Sequence, residues 1–402
     1  MRLLIVSQYF YPEEFRINEL VQNLIDRGHQ VDVLTAVPNY PSGKFYKGYS
    51  IKKRIYTETA NFKIIRVPIF PRGSGNGLML VLNYISFIIS ATYYFRKLYR
   101  KEHYNIIIAN QLSPVTSILP IFIGKRISTP VITWVLDIWP ESFYTTFKRR
   151  IKFVDSLVYK LSKKVYESSE TLLVTSPVFK KYLEENFKIK NEILFFPNWI
   201  ESNFHNKNNV SIDFDLPQGF NIIFAGNIGE AQGLNTVLKS IELLKEEPIN
   251  WVFVGDGRMK RWLCEQKKVL GLSKLILIDR KPQKMMKDLY LKSDCLLLSL
   301  KGGSFVSETI PGKLPGYISA GKPILGILDG DGKTLINENN LGIACSAGDY
   351  ESLARNAQKM SKMNPQDLKI FEKNNLAFRG NFDRKSLFSK FEEILQNINN
   401  CN

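Results

Sequence analysis

Short apolar runs alternate with segments of helical period twice along this chain, and that alternation leaves few folds open. In the first half, runs 3–6, 31–34, 64–67, 106–109, 131–135, 172–175 and 193–196 have strand length and are rich in Val, Ile and Leu. Helices are expected at 12–27, 78–101, 114–126 and 177–187 between them. Runs this apolar are buried on both faces, as in a parallel sheet covered by helices. From 197 to 219 the pattern lapses into a polar, turn-rich stretch, NWIESNFHNKNNVSIDFDLPQG, and a linker is placed there. The alternation resumes with strands expected at 222–225, 251–254, 275–278, 295–298 and 324–328. Helices are expected near 233–246, 258–270, 283–291, 312–320 and 349–362. The expectation is an α/β chain of two doubly wound parallel-sheet domains facing a central cleft. Their bounds are 1–196 and 220–382, with linker 197–219 and a C-terminal helix and tail over 383–402. A length of 402 residues also favours two cores over one.

The formal charge of +17 is unevenly spread. Residues 1–200 hold 28 Lys/Arg against 15 Asp/Glu, whereas 201–402 hold 27 against 23. A basic first half suits an anionic membrane surface, a phosphorylated acceptor or nucleic acid. No helix-turn-helix, zinc, RRM or KH pattern is present, so nucleic acid is disfavoured. The four cysteines (Cys264, Cys295, Cys345, Cys401) form no CxxC pair, and the three histidines are isolated. A reduced, metal-free cytosolic protein is therefore expected. The run after Arg2 is too short for a signal peptide. Segment 78–95, LMLVLNYISFIISATYYF, reaches the lower limit for a membrane span, with Arg96, Lys97, Arg100 and Lys101 behind it. A buried or membrane-grazing helix is the favoured reading. Segment 148–164 holds seven basic residues and one acid, with Ile151, Val154, Leu157, Val158 and Leu161 at helical spacing. That pattern suits a basic amphipathic helix on anionic lipid, and equally a core-facing helix with a solvated basic face.

Four places can carry chemistry. Residues 308–325, ETIPGKLPGYISAGKPIL, put Glu308, Thr309 and Lys313 into one loop-helix-strand unit, with Lys301 just upstream. Pro311 suits a first helical turn and Gly321 a helix end. A helix start beside lysines and a carboxylate suits a phosphate joined to a hydroxyl-rich group, although an ordinary solvated helix start reads equally well. Phe224 to Gly229, FAGNIG, is a strand ending in a glycine turn through Gly226, Asn227 and Gly229. Residues 254–258, VGDGR, form a second such turn carrying Arg258. Such turns let backbone N–H groups approach a phosphate; neither completes GxGxxG, which disfavours a nicotinamide dehydrogenase. WVLDIWPES places Asp137 and Glu141 just past a strand end, where either can act as a base, orient a hydroxyl or, for Asp137, cap a turn. NYPSGKFYKGY, with Asn39, Tyr40 and Lys44, has the aromatic-plus-basic texture of a loop that grips an acceptor, or of a solvated loop with buried tyrosines.

Jointly these segments resemble a GT-B glycosyltransferase of family 4, and within it the WbuB-like branch of O-antigen and capsule enzymes. SQYFYPEEFRINEL, RGHQVDVLT, PNYPSGKFYKGY, DIWPES, FAGNIGEAQGL, VGDGR and IPGKLPGYISAGKPIL are similar to that branch in order and spacing along nearly the whole chain. The resemblance implies a nucleotide sugar in the second domain and its acceptor in the first, with retention at the anomeric carbon and no essential metal or other cofactor. The family's acid-x7-acid motif falls on Glu308 and Gly316, so the second acid is absent. The basic pair that often follows the FxG strand is also missing, with Asn227 and Gln232 in that region. Lys301, Lys313 or Arg258, with backbone amides, are then expected to meet the diphosphate, and Asp137 stands where many relatives carry a histidine. The implied donor is a UDP-sugar, an N-acetylated deoxyhexose such as FucNAc. The implied acceptor is a polyprenyl-diphosphate-linked sugar, handled peripherally on the cytoplasmic face of a bacterial plasma membrane. A GT-B sugar-nucleotide epimerase, or a non-catalytic nucleotide- or nucleic-acid-binding protein, shares parts of this pattern.

Overall fold

The structure, a computed structural model, describes residues 1–51, 56–59, 61–73, 77–98, 103–146, 152–200 and 214–401. The chain forms two compact units. The first comprises Met1–Pro197 together with Phe388–Asn402, and the second Asn198–Leu387.

The first unit is built on eight strands. They are β1 (Arg2–Val6), β2 (Gln30–Ala36), β3 (Tyr56–Glu58), β4 (Phe62–Val67), β5 (Ile106–Gln111), β6 (Val131–Val135), β7 (Thr171–Val174) and β8 (Glu192–Phe195). Their order in the sheet is β3-β4-β2-β1-β5-β6-β7-β8. All pairs are parallel except β3 against β4. Leu3, Leu4 and Ile5, and Ile106 to Ile108, are sealed from solvent on both faces, which is why these strands read as unbroken apolar runs. The chain builds outward from β1 to β4, then returns to the other side of β1 with β5. The β1/β5 border is thus a topological switch point, where doubly wound sheets bind ligands.

The second unit has six strands, all parallel. They are β9 (Phe220–Asn227), β10 (Ile249–Asp256), β11 (Leu275–Ile278), β12 (Cys295–Ser299), β13 (Ile324–Ile327) and β14 (Gly342–Cys345), in the order β11-β10-β9-β12-β13-β14. Its switch point is the β9/β12 border. Trp251, Phe224, Phe253 and Leu297 anchor the core, and the rings of Phe224 and Phe253 stack at 5.0 Å.

The expected strands are present, with bounds shifted by a residue or two. Strands β3 and β14, and the helices Gly330–Glu338 and Pro365–Phe378, were not anticipated. The final helix, Arg384–Cys401, is not a separate appendage. From Phe388 onward it belongs to the first unit, where Glu392 meets His29 at 2.9 Å and Arg27 donates to Ser389 at 3.0 Å. Most of the expected linker, 201–213, lies outside the described residues, as do residues 148–151 of the expected basic helix and Arg100 and Lys101. Trp199 and Ile200 are wholly buried and belong to the second unit.

The membrane-length segment is the helix Gly77–Leu98. Within it Gly77–Arg96 is long and apolar enough to cross a membrane, and only 28% of that window is buried. Leu80, Asn83, Phe87, Ala91 and Phe95 face inward at helical spacing. Leu78, Val81, Leu82, Ile85, Ile89 and Tyr93 form an exposed apolar stripe on the other side. The helix packs along Pro114–Ile127, which packs along Lys152–Glu167.

Candidate functional site

In the second unit the expected donor residues gather at the carboxyl ends of the strands around the β9/β12 border. Parallel register sets Gly255 beside Gly226 and Asp256 beside Asn227. The two glycine turns therefore run side by side. A side chain at Gly255 would overlap the Gly226 carbonyl oxygen, and one at Gly257 would meet the Ile228 carbonyl and the Asn227 amide. The turn after β9 is tied to the segment after β12. The Lys301 amide donates to the Ala231 carbonyl at 2.8 Å, and the Ser299 hydroxyl to the Gln232 carbonyl.

Lys313 reaches into the same place. A Cβ on Gly226 would lie 2.6 Å from Lys313 Cε and 2.8 Å from its Nζ. Gly226 has φ 137°, which a larger residue adopts only with strain. The Lys313 ammonium is sealed, has no hydrogen-bond partner among the described residues, and lies 3.7 Å from the centroid of the Phe224 ring. Burial lowers its pKa to about 7. The ring face offsets part of the cost of burying the charge, and an arriving anion would offset more.

The helix start differs from expectation. The helix is Leu314–Ala320, capped by Lys313 without a side-chain bond, and the proline in its first turn is Pro315. Pro311 lies upstream in a turn, where its carbonyl accepts from Leu314. Seven residues make a weak dipole, so the charge at this point comes chiefly from Lys313. Gly321 ends the helix at φ 70°, as its sequence position implies. The amide row 226–229 is also partly spent, because Ile228 donates to the Asp256 carbonyl at 2.8 Å. The Gly229 N–H has no partner among the described residues. Glu308 is exposed, and its backbone packs against Gly330 so closely that any side chain there would collide. Thr309 follows it, with its carbonyl 3.1 Å from a Cβ built on Gly332. Arg258 and Lys301 are exposed at the rim.

The first unit holds its loops differently. Glu13 is buried, and its carboxylate accepts the backbone N–H of Tyr40 at 2.7 Å, Asn39 at 2.8 Å and Phe10 at 3.2 Å. Burial raises its pKa to about 7, against the pull of those three donors. Asn39 is fully buried, and its amide is spent on the Val37 carbonyl and the Arg72 N–H. It holds the loop's shape from inside, and Tyr40 and Lys44 are left as the loop's outward groups. Tyr40 packs on Tyr9 and Phe15, with the Arg72 guanidinium over its ring. Asp137 lies past β6, where burial raises its carboxyl to about 6 and a hydrogen bond from Ser142 pulls it back. Glu141 accepts from the Tyr182 hydroxyl at 3.0 Å.

Sequence reasoning missed Glu13, Gln8 and Asn83. Gln8 donates to the Asn83 side-chain Oδ1, and Asn83 Nδ2 donates to the Phe70 carbonyl from the inner face of Gly77–Leu98. The only signal was a lone Asn in an apolar run, which also fits an interrupted membrane span. Among the described residues, no group of three or more His, Cys, Asp or Glu is placed to hold a metal ion.

A family model described as Glycosyl transferases group 1 matches residues 214–376, and one described as Glycosyltransferase Family 4 matches residues 14–204. The chain is 25% identical over 335 residues to WcaI of Escherichia coli K12, whose name assigns it to glycosyl transfer in colanic acid biosynthesis. That match covers 80% of this chain and 82% of WcaI. WbjE of Pseudomonas aeruginosa, named as a glycosyltransferase, is 25% identical over 55% of this chain and 58% of its own. Among solved structures, sucrose-phosphate synthase of Thermosynechococcus elongatus superimposes with a TM-score of 0.76 at 12% identity, covering all of both chains. WaaG, a glycosyltransferase involved in lipopolysaccharide biosynthesis, gives 0.68 at 13% identity over 98% of this chain and 99% of its own. HepE of Anabaena, solved with UDP-glucose, gives 0.68 at 11% identity over 99% and 100%.

Proposed function

The chain belongs to the family 4 glycosyltransferases of GT-B fold, and on that premise we propose that it moves a sugar from a UDP donor onto a lipid-linked acceptor in the assembly of a cell-surface polysaccharide. One observation carries the donor half of this reading. An ammonium without a hydrogen-bond partner among the described residues is held against Gly226, in the glycine turn at the β9/β12 switch point. A nucleoside diphosphate supplies the counter-charge that this lysine lacks. WcaI and WaaG are named for colanic acid and lipopolysaccharide synthesis, and HepE was solved with UDP-glucose; these names support a surface polysaccharide and a uridine nucleotide.

The proposed chemistry is stabilisation of the leaving group, with retention at the anomeric carbon and no metal. Lys313, the Gly229 amide and the rim cations Arg258 and Lys301 take up charge as the diphosphate departs. Glu308 orients the sugar and steadies the positive charge that develops at its ring. Thr309 and Asn227 lie beside these groups and contact the donor. In the first unit Asp137 receives the acceptor hydroxyl's proton, and Tyr40, Lys44 and Glu141 hold the acceptor. Its pKa of about 6 leaves Asp137 ionised at neutral pH, yet basic enough to accept a proton. The donor sugar is an N-acetylated deoxyhexose and the acceptor a polyprenyl-diphosphate sugar.

The enzyme works on the cytoplasmic face of the plasma membrane. The exposed stripe on Gly77–Leu98 continues in kind with Phe122, Phe153 and Leu157 on the neighbouring helices, beside exposed Lys152, Lys160 and Lys164. Apolar residues flanked by lysines suit the boundary of an anionic bilayer.

Thermal unfolding of the purified chain in EDTA, with UDP or GDP, tests the donor assignment. A ligand that binds only the native state raises the midpoint by mass action. A rise with UDP alone is the expected result. A rise with GDP alone would change the donor, and no rise with either would remove the nucleotide site.

A further inference from the structure

The first unit contains a cavity that the donor and acceptor assignments leave unused. It has a volume of about 470 Å³ and lies between the helix Arg16–Asp26, strand β4 and the loop carrying Tyr49. Its walls are largely apolar, with Phe10, Val21, Ile25, Tyr49 and Phe62 contributing. Tyr11 and Gln22 are exposed, so they mark the mouth; Phe10, Val21 and Arg66 are buried, so they mark the depth. That volume is within the usual range for small-molecule sites, which lies on the order of several hundred Å³.

Among the described residues, the one charged group lining the cavity is Arg66, which is 7% exposed. One terminal nitrogen donates to the Tyr11 carbonyl at 2.8 Å, and the guanidinium lies 5.5 Å from the centroid of the Tyr49 ring. Its Nε is buried and has no acceptor, and Arg66 makes no ion pair among the described residues. The nearest acid of consequence, Glu13, already serves three backbone donors. The two amides in the lining are also spent. Asn18 bonds Tyr11 and Glu13 backbone atoms, and Gln22 donates to Asp26. What the cavity still offers is therefore the positive charge of Arg66 and the guanidinium N–H groups that the bond to Tyr11 leaves unused, in a largely apolar lining. A guanidinium in such a place seeks an oxyanion, and the walls exclude a bare, strongly hydrated one.

The geometry points to a binding site for an amphiphilic anion, a phosphate or carboxylate carrying an apolar chain, with the anion on Arg66 and the chain along Phe10, Val21, Ile25 and Phe62. This site lies within the first unit, the groups at Gly226 and Lys313 lie within the second, and it does not rest on their assignment. A prenyl phosphate and a fatty acid share the required chemistry, and comparing the two identifies the source.

The test uses the full chain and measures binding by calorimetry of geranyl phosphate, decanoate, geraniol and inorganic phosphate. Either amphiphile should bind, while geraniol and inorganic phosphate should not; the tighter of the two anions names the source. Arg66→Gln should weaken binding at least about tenfold, the usual scale for a hydrogen bond to a charged group. Because that change also removes the bond to Tyr11, Ile25→Trp serves as a second variant. It fills the cavity, keeps the arginine and should abolish binding. The UDP-induced rise in unfolding midpoint is recorded for each variant and should be unchanged, which separates this site from the donor site. Binding of geraniol as tight as that of its phosphate, or equal binding by wild type and both variants, would overturn the assignment.

Discussion

The two units are built on the same doubly wound plan and finish their strands in opposite ways. In the second, β9 and β10 end in glycine turns packed backbone to backbone, and the group presented there is a single sealed lysine. In the first, the loop after β1 contains no glycine and is braced by side chains: Glu13 gathers three amides, and Gln8 and Asn83 form a relay to Phe70. Bare backbone turns let a phosphate come close. Side-chain bracing leaves hydroxyls, rings and carboxyls to meet a larger, more varied molecule. One scaffold thus carries an end open to close backbone approach and an end braced by side chains, and the difference lies in where glycine is placed.

The largest expected effect separates chemistry from binding in the second unit. Glu308→Ala should lower kcat by roughly 100- to 1000-fold, the scale of losing one preorganised charge-stabilising group, while UDP affinity changes only a few-fold. Steady-state kinetics with calorimetry decide it; a parallel loss of UDP affinity would make Glu308 a nucleotide ligand instead. Gly226→Ala comes next. Its methyl would displace Lys313 and strain the turn, so UDP affinity should fall at least about tenfold. Glu13→Gln, the corresponding change in the first unit, should raise the acceptor KM and leave UDP affinity alone. If both variants altered UDP binding alike, the contrast between the units would fail.

The pH dependence sharpens the same contrast. Lys313 must be protonated to pair with a diphosphate, and burial holds its free pKa near 7, so UDP binding should take up a proton above that pH. Affinity should then fall by up to about tenfold per pH unit as pH rises from 7. Calorimetry in buffers of different ionisation enthalpy reads that proton directly. In the first unit, turnover should rise with pH through about 6 as Asp137 ionises. Its raised pKa means the stability it contributes is full below about 4 and lost as pH rises through 6. Asp137→Asn should therefore be more stable than wild type at pH 8, by about 3 kcal/mol at most, and indistinguishable from it at pH 4. An unchanged difference across that range would mean that the carboxyl is solvated. The smallest effect is on membrane retention. High salt should release most of the enzyme from anionic vesicles, whereas retention until detergent is added would make Gly77–Leu98 a spanning helix.

Much of this molecule is legible locally. The strands could be placed because burial on both faces demands unbroken Val, Ile and Leu, as in Leu3–Val6 and Ile106–Ala109. The glycine turns could be placed because close backbone approach after β9 and β10 demands Gly226, Gly255 and Gly257. The reading failed where a partner distant in the chain, or a second proline close by, decides the outcome. Asn39 looked like an acceptor contact, yet it is buried under Arg72. Pro311 looked like a helix start, yet the helix waits for Pro315. The 78–95 segment looked like a span or a core helix, and it is a helix with one apolar face buried and another exposed.

By itself the sequence determined the alternation of elements, two parallel cores, the glycine turns and the basic bias of the first half. Each of these follows from periodicity, backbone sterics or composition, which act over a few residues or over none in particular. Tertiary structure alone decided that Lys313 lies over Phe224 beside Gly226, that the last helix returns from Phe388 to dock Glu392 on His29, and that Arg66 lines an apolar chamber with no acceptor for its Nε among the described residues. Those pairings join residues tens to hundreds of positions apart. They form only once packed helices and sheet register bring the partners together, so no local pattern along the chain encodes them.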